Sequence, residues 1–168
     1  LFRSLEDTWT SIIGKKVAVL GAGEIGSCLA DMLKPFNCEI IGFKRKPVTS
    51  LPPNYSRMTT SLSEALIEGD IIVNLLPLTD STKGLLSKEI LLSLKDKFLL
   101  NLGRGEVIDE QGLYEALRTG VLLGAGIDTW YTYPAKGKAE GPPSRYPIHT
   151  LPNVILSPHT AGFTIQAA

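Results

Sequence analysis

Short β-branched runs alternate with stretches of helical periodicity along the chain, a pattern that predicts repeated βαβ units on a parallel sheet. Residues 16–20 form an apolar run ending at glycine, and residues 25–33 carry a helical pattern that Pro35 should stop. Residues 39–43 read as a second strand and 57–59 as a weak third. Ser61 with Glu64 makes a capping box, opening a helix that should end near Gly69. Residues 70–74 and 98–101 read as strands buried on both faces, the first closed off by Pro77. Asp109 should cap a helix through Leu117, with Gly120 at its C-terminal stop. Residues 122–127 and 153–156 supply the last two strands. Between them, 133–147 is rich in Pro, Gly and Lys and lacks apolar periodicity, so an exposed irregular loop is expected. Joined by right-handed crossovers, these elements make an α/β fold of the Rossmann type, a doubly wound parallel sheet in three αβα layers.

Composition narrows the partners. At 168 residues the chain is one domain with room for a real core, and 43% hydrophobic with 20% charged residues is a globular balance. Formal net charge is zero, so no long-range field favours nucleic acid or anionic lipid, and neither partner is expected. No apolar stretch approaches the roughly 20 residues that span a bilayer, and Leu1-Phe2-Arg3 opens no signal peptide. Cys28 and Cys38 have neither metal-ligand spacing nor the numbers for a disulfide framework. No metal is expected, and the reading is a protein of the reducing cytoplasm.

Gly21-Ala22-Gly23-Glu24-Ile25-Gly26 fits G-x-G-x-x-G directly after the first strand. Gly21 allows the tight turn, Gly23 lets a pyrophosphate approach the backbone, and Gly26 lets the helix pack on the sheet. The helix N-terminus adds amide donors and a positive dipole end. About 20 residues on, where an acidic residue normally accepts from the adenosine ribose, the chain has Lys44-Arg45-Lys46 and no carboxylate. Basic side chains cannot accept those bonds but can pair with a 2′-phosphate, so NAD or NADP is expected as cofactor, with NADP favoured by Lys44 and Arg45.

Two further stretches carry chemistry. Asn101-Leu102-Gly103-Arg104-Gly105 follows a buried strand, so Arg104 emerges at a strand's carboxyl end, where open α/β sheets bind ligands. Ser157-Pro158-His159-Thr160-Ala161-Gly162 follows the last strand and holds one of the two histidines. The other, His149, has no comparable setting and reads as a surface residue.

With these motifs the chain resembles the NAD-binding domain of the D-isomer-specific 2-hydroxyacid dehydrogenases. The matches run in family order from about residue 13 to 162: the glycine turn, Leu76-Pro77-Leu78-Thr79 with Thr82, residues 101–109, 124–128 and 152–162. The resemblance implies that Arg104 binds a substrate carboxylate and polarises the carbonyl, a task suited to the guanidinium fork. It implies that His159 is the general acid/base, since an imidazole near pKa 6.5 exchanges protons in either direction. Asp128, Ala161 and Gly162 would lie near the nicotinamide, Leu76 and Pro77 near the adenosine half. The implied cofactor set is Gly21, Gly23, Glu24, Ile25, Gly26, Lys44, Arg45, Leu76, Pro77, Thr82, Leu102, Gly103, Arg104, Asp128, His159, Ala161 and Gly162. A small 2-hydroxy or 2-keto acid substrate and a homodimer are implied as partners.

The chain departs from that family at one position. Five residues after Asp128, where the family usually places a Glu that pairs with the histidine, stands Tyr133. The neighbouring Trp130 and Pro134-Ala135 resemble formate dehydrogenases, which carry Gln there, and without that Gln formate is disfavoured. A Tyr orients an imidazole without stabilising its cation, and Glu140 is a distant substitute. Trp9 resembles the tryptophan that precedes the first strand, and residues 164–168 the start of a returning helix. The substrate domain is expected to lie largely outside this chain, which would bind dinucleotide with little turnover. The alternative reading is a non-catalytic dinucleotide-sensing module like the dehydrogenase-like corepressors. An enzyme of an adenosyl ligand fits the glycine turn but not the segments of Arg104 and His159.

Overall fold

The structure, a computed structural model, describes residues 10–134 and 141–162. Trp9, Glu140 and the segment 164–168 lie outside the described residues. Seven strands form one all-parallel sheet: β1 (Lys16–Leu20), β2 (Glu39–Phe43), β3 (Arg57–Thr59), β4 (Ile71–Asn74), β5 (Lys97–Asn101), β6 (Leu122–Ile127) and β7 (Val154–Leu156), in the order β3-β2-β1-β4-β5-β6-β7. The order reverses between β1 and β4, which places a topological switch point beside the glycine turn.

The helices are α1 (Glu24–Leu33), α2 (Leu62–Glu68), α3 (Lys88–Ser93) and α4 (Glu110–Arg118). Side-chain alternation along β1 divides the core. Val17 and Val19 pack with Ala30, Leu33 and Tyr55 beneath α1. Ala18 and Leu20 face Ala65, Leu66, Leu91 and Leu113 from α2, α3 and α4. Three αβα layers result, as the apolar runs predict.

Caps set most boundaries. Ser61, Ser87 and Asp109 accept from the amides of Glu64, Ile90 and Gly112 at the starts of α2, α3 and α4. The capping box forms by half: Glu64 turns to the Thr59 hydroxyl (2.7 Å), and Thr59 Oγ1 accepts the Ser61 amide in its place. Helix α1 ends at Leu33, ahead of Pro35 as expected, and the Pro35 ring fits the first turn of the short 3₁₀ helix Lys34–Phe36 that follows. Helix α3 is absent from the periodicity reading. Six residues are too short to show a period, and the Ser87 cap is its one local signal. The described part of 133–147 has neither helix nor strand, yet it is anchored. Glu110 is 5% exposed and accepts from Ser144 Oγ (2.8 Å), the Arg145 amide (2.6 Å) and Arg145 Nε (2.7 Å). Burial pushes the Glu110 carboxyl up, but those donors outweigh it and hold it below the ordinary value.

Candidate functional site

Every sequence-nominated position except those at the mouth of α1 lies in a loop that leaves the carboxyl end of a strand, and α1 itself opens from β1. Gly21 takes φ +99°, and a Cβ there would press on the Leu75 backbone at 3.1 Å, so only glycine makes this turn. Its amide and that of Ala22 donate to Phe43 O (3.2 and 3.3 Å). Gly23 is the N-cap residue, and no side chain caps the helix. The first bond of α1 runs from the Ser27 amide to Gly23 O (2.9 Å), leaving the amides of Glu24, Ile25 and Gly26 ahead of the ladder. A Cβ on Gly23 would meet nothing within 4 Å. Open space over a helix N-terminus with no side-chain cap fits a pyrophosphate, whose oxygens can accept from the free amides. Gly26 is packed tightly, its virtual Cβ 2.8 Å from Tyr55 Oη.

Lys44 and Arg45 follow β2, but they part company. Lys44 and Lys46 line a cavity of about 390 Å³ with Thr59, Thr60 and Ser61, while Arg45 donates to Ser81 Oγ (3.2 Å) across the crevice. Lys44 and Lys46 thus face one side and Arg45 the other, because alternate residues of an extended segment point to opposite sides. Glu64 also lines this cavity, held by Thr59 and lying 3.7 Å from Arg57. Leu76 and Pro77 begin the loop after β4. Thr82 spends its hydroxyl inside that loop, donating to Pro77 O (2.6 Å) and accepting the Thr79 amide (2.8 Å), so it shapes the loop.

Arg104 is exposed, and its Nη1 donates to Gly103 O (2.7 Å). The glycines on either side explain its placement. A Cβ on Gly103 would stand 2.5 Å from Leu76 O, and one on Gly105 would overlap the Trp130 carbonyl. The Arg104 loop is thus wedged between the loops after β4 and β6. Two buried asparagines brace it: Asn74 Nδ2 donates to Asn101 Oδ1 (2.8 Å), Asn74 Oδ1 accepts the Leu76 amide (3.2 Å), and Asn101 Nδ2 reaches Arg104 O (3.4 Å). Leu102 stays exposed at the rim. Sequence reasoning passed over both asparagines. An Asn ending each of two otherwise apolar strands was the available signal.

His159 sits at φ +58°, a conformation that a non-glycine residue keeps only when neighbours enforce it. Asp128, 6% exposed, enforces it by accepting from Ser157 Oγ (2.6 Å) and the amides of Thr160 (2.9 Å) and Ala161 (3.3 Å). Burial raises the Asp128 carboxyl; those hydrogen bonds and nearby His159 outweigh it, leaving it below its ordinary value. Asp128 thus has an internal task, holding the loop that carries the exposed Ala161 and Gly162. Trp130 adds a second tie, Nε1 donating to Ser157 O (2.8 Å). Tyr133 Oη lies 2.9 Å from His159 Nδ1 and accepts the Trp130 amide (3.0 Å). Through Trp130, then, the Arg104 loop and the His159 loop share one brace. His149 is exposed, in the turn Ile148–Thr150.

Among the described residues no cluster of His, Cys, Asp and Glu is arranged for a metal ion, and no helix is long and apolar enough to cross a membrane.

The sequence model of the family described as "D-isomer specific 2-hydroxyacid dehydrogenase, NAD binding domain" matches residues 3–161. The mitochondrial formate dehydrogenase of Solanum tuberosum is 36% identical over 92% of this chain and 39% of its own length. A D-isomer specific 2-hydroxyacid dehydrogenase of Lactobacillus delbrueckii, solved in its NAD complexed form, superposes with a TM-score of 0.80 at 27% identity, over 94% of this chain and 50% of that one. An NADPH-dependent glyoxylate/hydroxypyruvate reductase of Sinorhizobium meliloti, solved with NADP and malonate, gives 0.79 at 29%, over 94% and 46%. The chain thus spans two-fifths to half the length of these relatives.

Proposed function

We propose a function from one premise: the chain belongs to the D-isomer specific 2-hydroxyacid dehydrogenase family and is its NAD-binding domain. The whole protein reduces a small 2-keto acid to the 2-hydroxy acid, using NADPH in preference to NADH. The bound dinucleotide supplies hydride to the carbonyl carbon. Arg104 grips the substrate carboxylate with its fork and draws electron density toward the carbonyl oxygen. His159 delivers the proton that the new alkoxide needs. Gly21, Gly23 and the open amides of α1 hold the pyrophosphate. The observation that carries this reading is the brace at Trp130, which ties the guanidinium loop and the imidazole loop to one edge of the sheet.

The cofactor preference is supported by Lys44 and Lys46, two ammonium groups with the Thr60 and Ser61 hydroxyls around one cavity beyond β2. Replacing both lysines with Ser should weaken NADP binding about tenfold or more while leaving NAD within threefold. Relatives solved with NAD and with NADP bound bracket the two choices. Tyr133, in the place where formate dehydrogenases carry Gln, supports a keto acid over formate. Cytoplasmic placement is supported by two unpaired cysteines, one of them exposed. Homodimerisation is supported by the apolar face that Leu123 and Ile155 leave open along β6 and β7.

The test is steady-state assay of the full-length protein with glyoxylate, hydroxypyruvate, pyruvate and longer 2-keto acids, each with both cofactors. Reduction of at least one acid, lost in Arg104→Ala and His159→Gln, is the expected result. Tight dinucleotide binding with no turnover on any acid would leave the sensing module as the better reading.

A further inference from the structure

We propose that Tyr133 is the proton source for reduction, acting through His159. The Tyr133 hydroxyl proton passes to Nδ1 as Nε2 gives its own proton to the substrate alkoxide. This rests on the dehydrogenase reading above.

The geometry sets the direction of the bond. Tyr133 Oη already accepts the Trp130 backbone amide at 3.0 Å, a donor that cannot turn away. The hydroxyl proton is then best used toward Nδ1, 2.9 Å off, and the neutral imidazole carries its own proton on Nε2. An imidazolium would reverse this. Its Nδ1–H and the Trp130 N–H would both press on one phenol oxygen, and the hydroxyl proton would need another acceptor. A carboxylate in this place only accepts, and so favours the cation. One charged group lies near the pair: Asp128, under the same loop, is committed to Ser157, Thr160 and Ala161.

The step balances. Hydride from the reduced nicotinamide adds its electron pair to the carbonyl carbon, and the π pair moves to oxygen. The alkoxide forms an O–H bond as Nε2–H breaks, and Nδ1–H forms as the Tyr133 O–H breaks. The keto acid gains two electrons and the dinucleotide loses two. The phenolate, held by the Trp130 amide and the new Nδ1–H, takes a proton back from water, to which Tyr133 is 49% exposed.

Two readouts on the full-length protein test this. In ¹⁵N-histidine spectra, with His159→Gln identifying the signals, the neutral ring should carry its proton on Nε2. Tyr133→Phe should move that signature toward a mixture of tautomers. Reduction by the parent should persist to pH 9. Tyr133→Phe should cost about 100-fold at pH 9 and far less at pH 6. Turnover with Nδ1 protonated in the neutral ring, or an alkaline limb unmoved in Tyr133→Phe, overturns the relay alone. The expected tautomer with no turnover on any keto acid overturns the dehydrogenase reading, and the relay with it.

Discussion

Gly103→Ala is the sharpest probe of how the guanidinium is placed. The added methyl would stand 2.5 Å from Leu76 O, 2.9 Å from Leu76 N and 3.0 Å from Asn74 Nδ2. Two of these are backbone atoms in the loop after β4, and the third belongs to a buried amide bonded to Asn101, so none can swing aside. Ordinary contact begins near 3.4 Å, which requires the two loops to separate by roughly 1 Å. Overpacking of this kind costs about 1–3 kcal/mol, or roughly 2–12 °C in the melting temperature of a domain this size. The kinetic cost should be larger. Arg104 follows immediately, and a displacement of about 1 Å in a group that orients substrate costs on the order of 100-fold in kcat/KM. Gly126→Ala is the control: its methyl would meet Leu100 at 3.5 Å, an ordinary contact, and the variant should melt and bind dinucleotide as the parent does. Calorimetry and steady-state kinetics of the full-length variants decide the matter. A Gly103→Ala protein that melts within 1 °C of the parent, with unchanged kcat/KM, would refute the wedge.

Gly23→Ala should have the opposite profile, since its methyl meets nothing in the protein but fills the space above the α1 amides: an unchanged melting temperature with dinucleotide affinity down at least about tenfold by calorimetric titration. Asp128→Asn should destabilise by about 1.5–3 kcal/mol at neutral pH, because charge-assisted bonds to Ser157, Thr160 and Ala161 are lost. The Asp128 carboxyl is held below its ordinary value in the fold, so its contribution is present above about pH 4 and disappears as pH falls through the lowered value. The gap between parent and variant in denaturant melts should therefore close in acid, and a gap constant down to pH 2 would contradict this. Glu110→Gln should loosen residues 141–147, with faster amide exchange at Arg145 and Tyr146. The sign is again that of a lowered carboxyl, stabilising above about pH 4.3 and lost below.

The sequence by itself determined the sheet, its helices save α3, the glycine turn, and the strand ends from which Arg104 and His159 emerge. These features are written in short-range terms: a run of apolar residues, a cap three residues before an amide, a glycine where φ must be positive. Tertiary structure alone decided what holds the pair in place. Gly105 matters because β6 lies beside β5 and brings Trp130 against it. Asp128 grips the His159 loop from about 30 positions away in sequence, across the β6–β7 pairing. Asn74 and Asn101 meet across 27 positions because β4 and β5 are neighbours. Even the grouping of Lys44 with Lys46 around one cavity, with Arg45 turned to Ser81, follows from the path that the backbone takes after β2. A local pattern records which residues fold into a strand. Which loops touch depends on the order in which strands stand side by side, and no window of a few residues contains that order.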